Sequence, residues 1–233
     1  MSQKGIEDSV ASIFKLQLQL WCMSQKIDDL IFDMNGSDRS VNADAMFSVC
    51  DRFFLVEMKS KEVNIKDEAT KPAVSVLCTK IKEYDEIRQM HRACHYIMWG
   101  KKNKSQSQVE TLYTIYEDSV CRPEILAFCK PVSNPTKREI LSGSELAFRA
   151  VNGEAGLAGP YFFPYLDWLL GNRDGPISPF TPKEPVPIAL IGNSANRQIV
   201  GKVFENYEEL NNWGAAALQN KLNTPPSPPS ARP

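Results

Sequence analysis

The chain lacks most features that would assign it to a class at once. No apolar run approaches the roughly 18 residues of a membrane span, and Met1 to Glu7 lack the basic stretch and apolar core of a secretory leader. The expected address is therefore the cytoplasm, with no membrane partner. Charge of either sign is not in excess: 27 basic and 28 acidic residues leave a net charge of -1. Any contact with nucleic acid must then come from a local basic surface rather than a global field. Six cysteines, Cys22, Cys50, Cys78, Cys94, Cys121 and Cys129, are too widely spread for a small disulfide scaffold and are expected as reduced core thiols. No internal repeat is visible. Gly192 to Arg197 follows an expected strand but lacks the lysine and glycine spacing of a phosphate-binding loop.

What is present fits a globular protein: 233 residues, 42% hydrophobic and 24% charged, allow one sizeable core and a small second unit. Apolar residues at helical spacing predict a long helix over Ile6 to Ile31, with a break near Ser24. Asn35 to Asn42 reads as a loop. Ala43 to Val49 and Arg52 to Lys59 have strand composition and are joined at Cys50 and Asp51. A charged loop, Ser60 to Lys71, leads to a second helix from Pro72 to about Arg92, since proline suits a first helical turn. A strand over His95 to Trp99 and an exposed loop over Lys101 to Gln108 follow.

Further on, Leu112 to Tyr116, Ile125 to Cys129 and Ile188 to Ile191 read as strands, and Tyr161 to Leu170 and Glu208 to Leu222 as helices. Between Leu170 and Ile188, Pro176, Pro179, Pro182, Pro185 and Pro187 interrupt regular structure. The expected architecture is α/β, a mixed sheet flanked by helices, because a crossover helix lets a strand join the same sheet in parallel. Residues 1–130 form the expected core, 131–222 a C-terminal extension, and 223–233 a disordered tail rich in proline and serine.

The strand Arg52 to Lys59 carries the most information. A side-chain period of two puts Phe53, Leu55, Glu57 and Lys59 on one face and Phe54, Val56 and Met58 on the other. Both faces are apolar until Glu57, as in a central strand covered on both sides. A two-residue turn at Cys50 and Asp51 would set Asp44 across from Glu57, with Cβ atoms about 4.5–5.5 Å apart. Such a carboxylate pair is repulsive unless a cation lies between its members. Oxygen ligands alone suit Mg²⁺ or Mn²⁺ better than zinc. Lys59, two residues along, would lie beside an attacking water and a phosphate. An acid followed two residues later by a base arises roughly three times by chance in a chain of this composition, so the hairpin context carries the signal.

These residues resemble the PD-(D/E)XK, or restriction-endonuclease-like, nuclease superfamily. The likeness lies in Asp44 opening one strand and Glu57, Met58 and Lys59 closing the next, with a helix before the hairpin and a helix and strand after it; Asn42 and Ala43 stand where the motif's proline would precede Asp44. It covers roughly residues 5 to 100. The resemblance implies a restriction-endonuclease-like sheet, Asp44 and Glu57 as ligands of Mg²⁺ or Mn²⁺, Lys59 as catalytic base or electrostatic helper, and a nucleic acid substrate, DNA before RNA. Glu7, on the core-facing side of the first helix, is a further candidate ligand, the alternative being a solvated first-turn acid. Cutting both strands of a duplex would call for a homodimer or larger complex. A binding or scaffold protein that keeps the fold without turnover is the competing function.

Lys80, Arg88 and Arg92 are candidates for a phosphate track, and Lys101, Lys102 and Lys104 form a second basic patch. Helix lysines and arginines are also commonly just solvated. His91 and His95, four apart around Cys94, would share a face of a continuous helix and suggest zinc. The helix is expected to end there, and no second ligand pair follows, so a structural role is the expectation.

Overall fold

In the computed structural model of the chain, the residues described are 3–33, 43–103, 108–129, 138–171, 186–193, 198–204, 209, 212 and 213. The expected loop Asn35–Asn42, the prolines Pro176, Pro179, Pro182 and Pro185, most of the expected helix Glu208–Leu222 and the tail 223–233 lie outside them.

The first helix, α1, spans Gln3–Gln25. It does not continue to Ile31. Lys26 takes a left-handed backbone (φ +57°), and the amides of Ile27 and Lys26 bond back to the carbonyls of Cys22 and Met23. That is a Schellman ending built on a lysine instead of the usual glycine. The chain released by it forms β1, Asp29–Asp33. Apolar residues at helical spacing ran on through Leu30 and Ile31, so periodicity alone hid the change of state.

Next come β2, Ala45–Val49, and β3, Arg52–Lys59. The turn between them has positive φ at both Cys50 and Asp51, the two-residue geometry whose twist matches paired strands. The register is the expected one, from Val49↔Arg52 to Ala45↔Val56. A 3₁₀ helix, Glu62–Thr70, replaces the expected loop. The expected helix from Pro72 to Arg92 is two: α2, Pro72–Lys80, and α3, Asp85–Cys94, separated by turns at Ile81–Glu83. Strand β4, His95–Asn103, runs further than expected and pairs parallel with β3.

Strand β5, Gln108–Ile115, returns antiparallel to β4, and Tyr116 opens α4, Tyr116–Val120. Ile125 to Cys129 is not a strand. Its amides close tight turns, Leu126 onto Arg122 and Cys129 onto Leu126, leaving none for a ladder. The remaining elements are β6 (Leu141–Ser142), α5 (Gly143–Val151), β7 (Leu157–Ala158), α6 (Gly159–Gly171), β8 (Val186–Asn193) and β9 (Gln198–Phe204). Among these, α5, the two short strands and β9 were not expected from the sequence.

All nine strands belong to one mixed sheet, in the order β6-β5-β4-β3-β2-β1-β8-β9, with β7 beside the first residues of β3. The α/β class with a mixed sheet flanked by helices is thus as expected. β8 joins through β1, so strands from both halves of the chain share the sheet. Strand β3 lies near the middle and is covered on both faces. Phe54 stacks on Phe47, which meets Phe14 of α1 edge-on at 5.2 Å. On the other face Phe53 lies 5.3 and 5.1 Å from Phe162 and Phe163 of α6. Phe54 is fully buried, and truncating such a ring to alanine costs about 3–5 kcal/mol.

Cys78 on α2 and Cys121 after α4 form a disulfide, with Cα atoms 5.2 Å apart. This corrects the expectation of six reduced thiols: a separation of 43 residues conceals a contact made only in the tertiary fold. The cysteines at 22, 50, 94 and 129 remain thiols, and burial pushes that of Cys22 up to about 12. Among the described residues no helix is long and apolar enough to cross a membrane.

Candidate active site at the end of strand β3

Strand β3 delivers Glu57 and Lys59 to the place where its ladder with β2 stops. The paired positions end at Ala45↔Val56. Asp44 is not the next rung. Its amide also bonds to the Val56 carbonyl at 3.0 Å, and its Oδ2 accepts the amide of Met58 at 2.5 Å. Where β2 no longer offers a carbonyl to Met58, the Asp44 side chain supplies the acceptor. Asp44 therefore reaches the end of β3 as a cap on the strand, a role that a simple face-to-face carboxylate pair did not anticipate.

Glu57 is 1% exposed. Its Oε1 accepts from two ammoniums, Lys59 Nζ at 2.5 Å and Lys71 Nζ at 2.6 Å. Its other oxygen, Oε2, is buried without a hydrogen-bond partner. Glu68 of the 3₁₀ helix mirrors it: Oε1 faces Lys59 and Lys71 at 2.8 and 2.9 Å, and Oε2 accepts the Tyr116 hydroxyl at 2.6 Å. Two glutamates and two lysines thus form a closed square, tied to α4 through Tyr116.

The electrostatics of the two glutamates differ. Burial, then the charges of Glu68 and Asp44, hold Glu57 well above the usual carboxylate range against the pull of Lys59 and Lys71. Burial also acts on Glu68, but Lys59 and Lys71 outweigh it and draw that carboxyl down to about 2. Lys59 is disfavoured by burial yet held above its ordinary value by Glu57 and Glu68. Glu7, half-buried on α1, is raised by burial; Lys59, Asp44 and Lys71 are the next charges it feels. Four carboxylates and two ammoniums therefore share one electrostatic neighbourhood. With all ionised it carries a surplus of two negative charges, the charge that one divalent cation neutralises.

Glu7, Asp44, Glu57 and Lys59, the residues expected from the sequence, are brought together by the fold. Glu68, Lys71 and Tyr116 were not expected. A signal for two of them was available: Glu68 and Lys71 are three apart just before a helix-opening proline, the spacing of one helical turn. Among the described residues no three His, Cys, Asp or Glu side chains already form a metal-holding group, because the lysines occupy the inner oxygens. The donor chemistry nevertheless fits a hard cation: oxygens only, from three elements, with one buried oxygen unpartnered.

The expected phosphate track lies elsewhere. Arg88 binds Glu117 at 2.7 Å, Arg92 binds Glu117 and Asp118 at 3.0 and 2.6 Å, and Lys80 pairs with Glu83. The arginines fasten α3 to α4. Comparison with protein-family models, curated proteins and solved structures found no match. The functional reading consequently rests on residues and geometry alone.

The histidines take the structural role. α3 stops at Cys94, so His91 and His95 do not share a helix face; both Nδ1 atoms lie 2.8 Å from the Tyr165 hydroxyl. One hydroxyl proton can serve only one of them, so the neutral rings take opposite tautomers. Burial, followed by neighbouring His95 and the Arg92 and Arg88 charges, holds His91 well below its ordinary pKa.

Proposed function

We propose that this chain hydrolyses phosphodiester bonds of nucleic acid, DNA in the first instance, with Mg²⁺ or Mn²⁺. The observation that carries the reading is the meeting of Glu7, Asp44 and Glu57 with Lys59 at the end of a central strand, with two negative charges in surplus. It is the arrangement for which the resemblance to PD-(D/E)XK nucleases was noted, and a restriction-endonuclease-like fold forms part of the proposal. Asp44, Glu57 and Glu7 would hold the ion. Such an ion screens phosphate charge and makes water a better nucleophile. Lys59 donates to a phosphate oxygen and stabilises the charge that grows there in the transition state. Glu68 and Tyr116 orient the lysine from behind.

The test is cleavage of single- and double-stranded DNA and RNA with Mg²⁺ or Mn²⁺, with and without EDTA, beside thermal stability in Mn²⁺. Lys59→Met should lower the single-turnover rate about 10²-fold or more while Mn²⁺ still stabilises the fold. Cleavage of no substrate, together with no effect of Mn²⁺ on the melting temperature, would sink the reading. A non-catalytic binding or scaffold protein is the second reading. It is favoured by the way both lysines are already satisfied within 3 Å by Glu57 and Glu68, and it expects nucleic acid binding that ignores chelator.

A further inference from the structure

Glu57 Oε1 holds two like charges at once, which is one more than a carboxylate oxygen needs. Lys59 is the inner of the two: it stands on β3 itself and its side chain is 9% exposed. Lys71 comes from a different element, the residue before α2, and its side chain is 26% exposed. The two ammoniums share both glutamates, so they repel each other across the square. If Lys71 left, Glu57 and Glu68 would each keep Lys59, and Glu68 would keep Tyr116.

We propose that Lys71 is a displaceable substrate-binding cation, which neutralises Glu57 and Glu68 in the metal-free chain and moves to a phosphate oxygen of the DNA when a divalent ion takes up the carboxylates. This rests on the nuclease reading and extends it. The balance of charge supports the exchange. An ion of charge two cancels the surplus of the site, after which the incoming phosphodiester brings a new negative charge that only an ammonium released from the carboxylates can meet. Lys71 has the exposed position and the long, flexible stem for that movement. It is then a competitor of the metal and a partner of the substrate, opposite effects that a purely structural ion pair does not produce.

Lys71→Met, which keeps the stem and removes the charge, separates these roles in the full chain. Calorimetric titration with Mn²⁺ should show binding at least about threefold tighter than in the parent, because a competing cation has gone. Binding of a labelled DNA duplex in Ca²⁺, used so that no cleavage occurs, should weaken, and its logarithmic dependence on salt should fall by about one. Lys71→Arg should keep the parental salt dependence. If Lys71→Met binds Mn²⁺ no better and leaves the salt dependence unchanged, Lys71 is a structural partner and the assignment fails while the nuclease reading stands. Failure of both variants to fold would likewise make Lys71 structural and overturn the assignment. A parent chain that takes up neither Mn²⁺ nor duplex defeats both ideas.

Discussion

The buried polar groups around β3 and β4 divide into two clusters that meet at Tyr116. In one, His91 and His95 share the Tyr165 hydroxyl, and the His95 ring lies 4.6 Å from that of Tyr116. In the other, Tyr116 donates to Glu68 within the lysine and glutamate square. The histidine cluster is neutral and uses few, well-placed hydrogen bonds, the least costly way to keep polar groups inside a core. The glutamate cluster commits two ion pairs to each acid and still leaves Glu57 Oε2 unpartnered. A fold seeking only stability would do better with apolar side chains there. The contrast separates polar groups kept for packing from polar groups kept ready for something to bind.

Breaking the neutral cluster should have the largest effect on stability. Tyr165→Phe removes the partner of both Nδ1 atoms at once, and a loss of about 2–4 kcal/mol in urea unfolding is expected with Mn²⁺ binding unaltered. A loss of Mn²⁺ affinity in that variant would mean that the clusters are not separable.

Acid should act on the same cluster. His91 has a folded-state pKa below its ordinary 6.5, so the unfolded chain binds its proton first. The stability contribution is complete above the ordinary value and declines as pH falls below it toward the folded one. Melting temperature should therefore drop with acidification from pH 6.5, and His91→Gln should flatten that slope. An unchanged slope would move the acid sensitivity to other groups.

In the charged cluster, Glu57→Gln should change metal-free stability by only about 1 kcal/mol or less, although breaking a buried ion pair ordinarily costs about 3–5 kcal/mol. The amide oxygen can still accept from the lysines, and the amide nitrogen replaces an unpartnered oxygen with a donor near Asp44 and Glu68. Mn²⁺ binding should be lost in the same variant. A large metal-free destabilisation would show that the square is there for stability. At the exposed end of the scale, Lys80→Ala should shift stability by less than about 0.5 kcal/mol, since the pair with Glu83 lies at the surface.

The site was more legible along one strand than across elements. The alternation in Phe53 to Lys59 placed Glu57 and Lys59 together, and the two-residue turn at Cys50 and Asp51 fixed the register. Asp44 was found for a reason that turned out incomplete, since its side chain also caps the Met58 amide. That bond revises one consequence of the paired-carboxylate picture: Asp44→Ala loses an acceptor as well as a charge. Glu68, Lys71 and Tyr116 escaped because they reach the square through tertiary packing, from a 3₁₀ helix that reads as a charged loop and from a residue after β5. Strand β1 escaped because Lys26 ends α1 in a conformation for which no glycine gave warning.

The hairpin has a consequence for the order of assembly. Asp44, Glu57 and Lys59 are linked by a turn of two residues, a closure that takes microseconds, whereas the parallel pairing of β3 with β4 must wait for the intervening 3₁₀ helix, α2 and α3 to be placed. Refolding should build the carboxylate half of the square before Glu68, Lys71 and Tyr116 arrive to close it. Mn²⁺ present from the start would then accelerate refolding, and equal rates with and without it would show that the square assembles in one step.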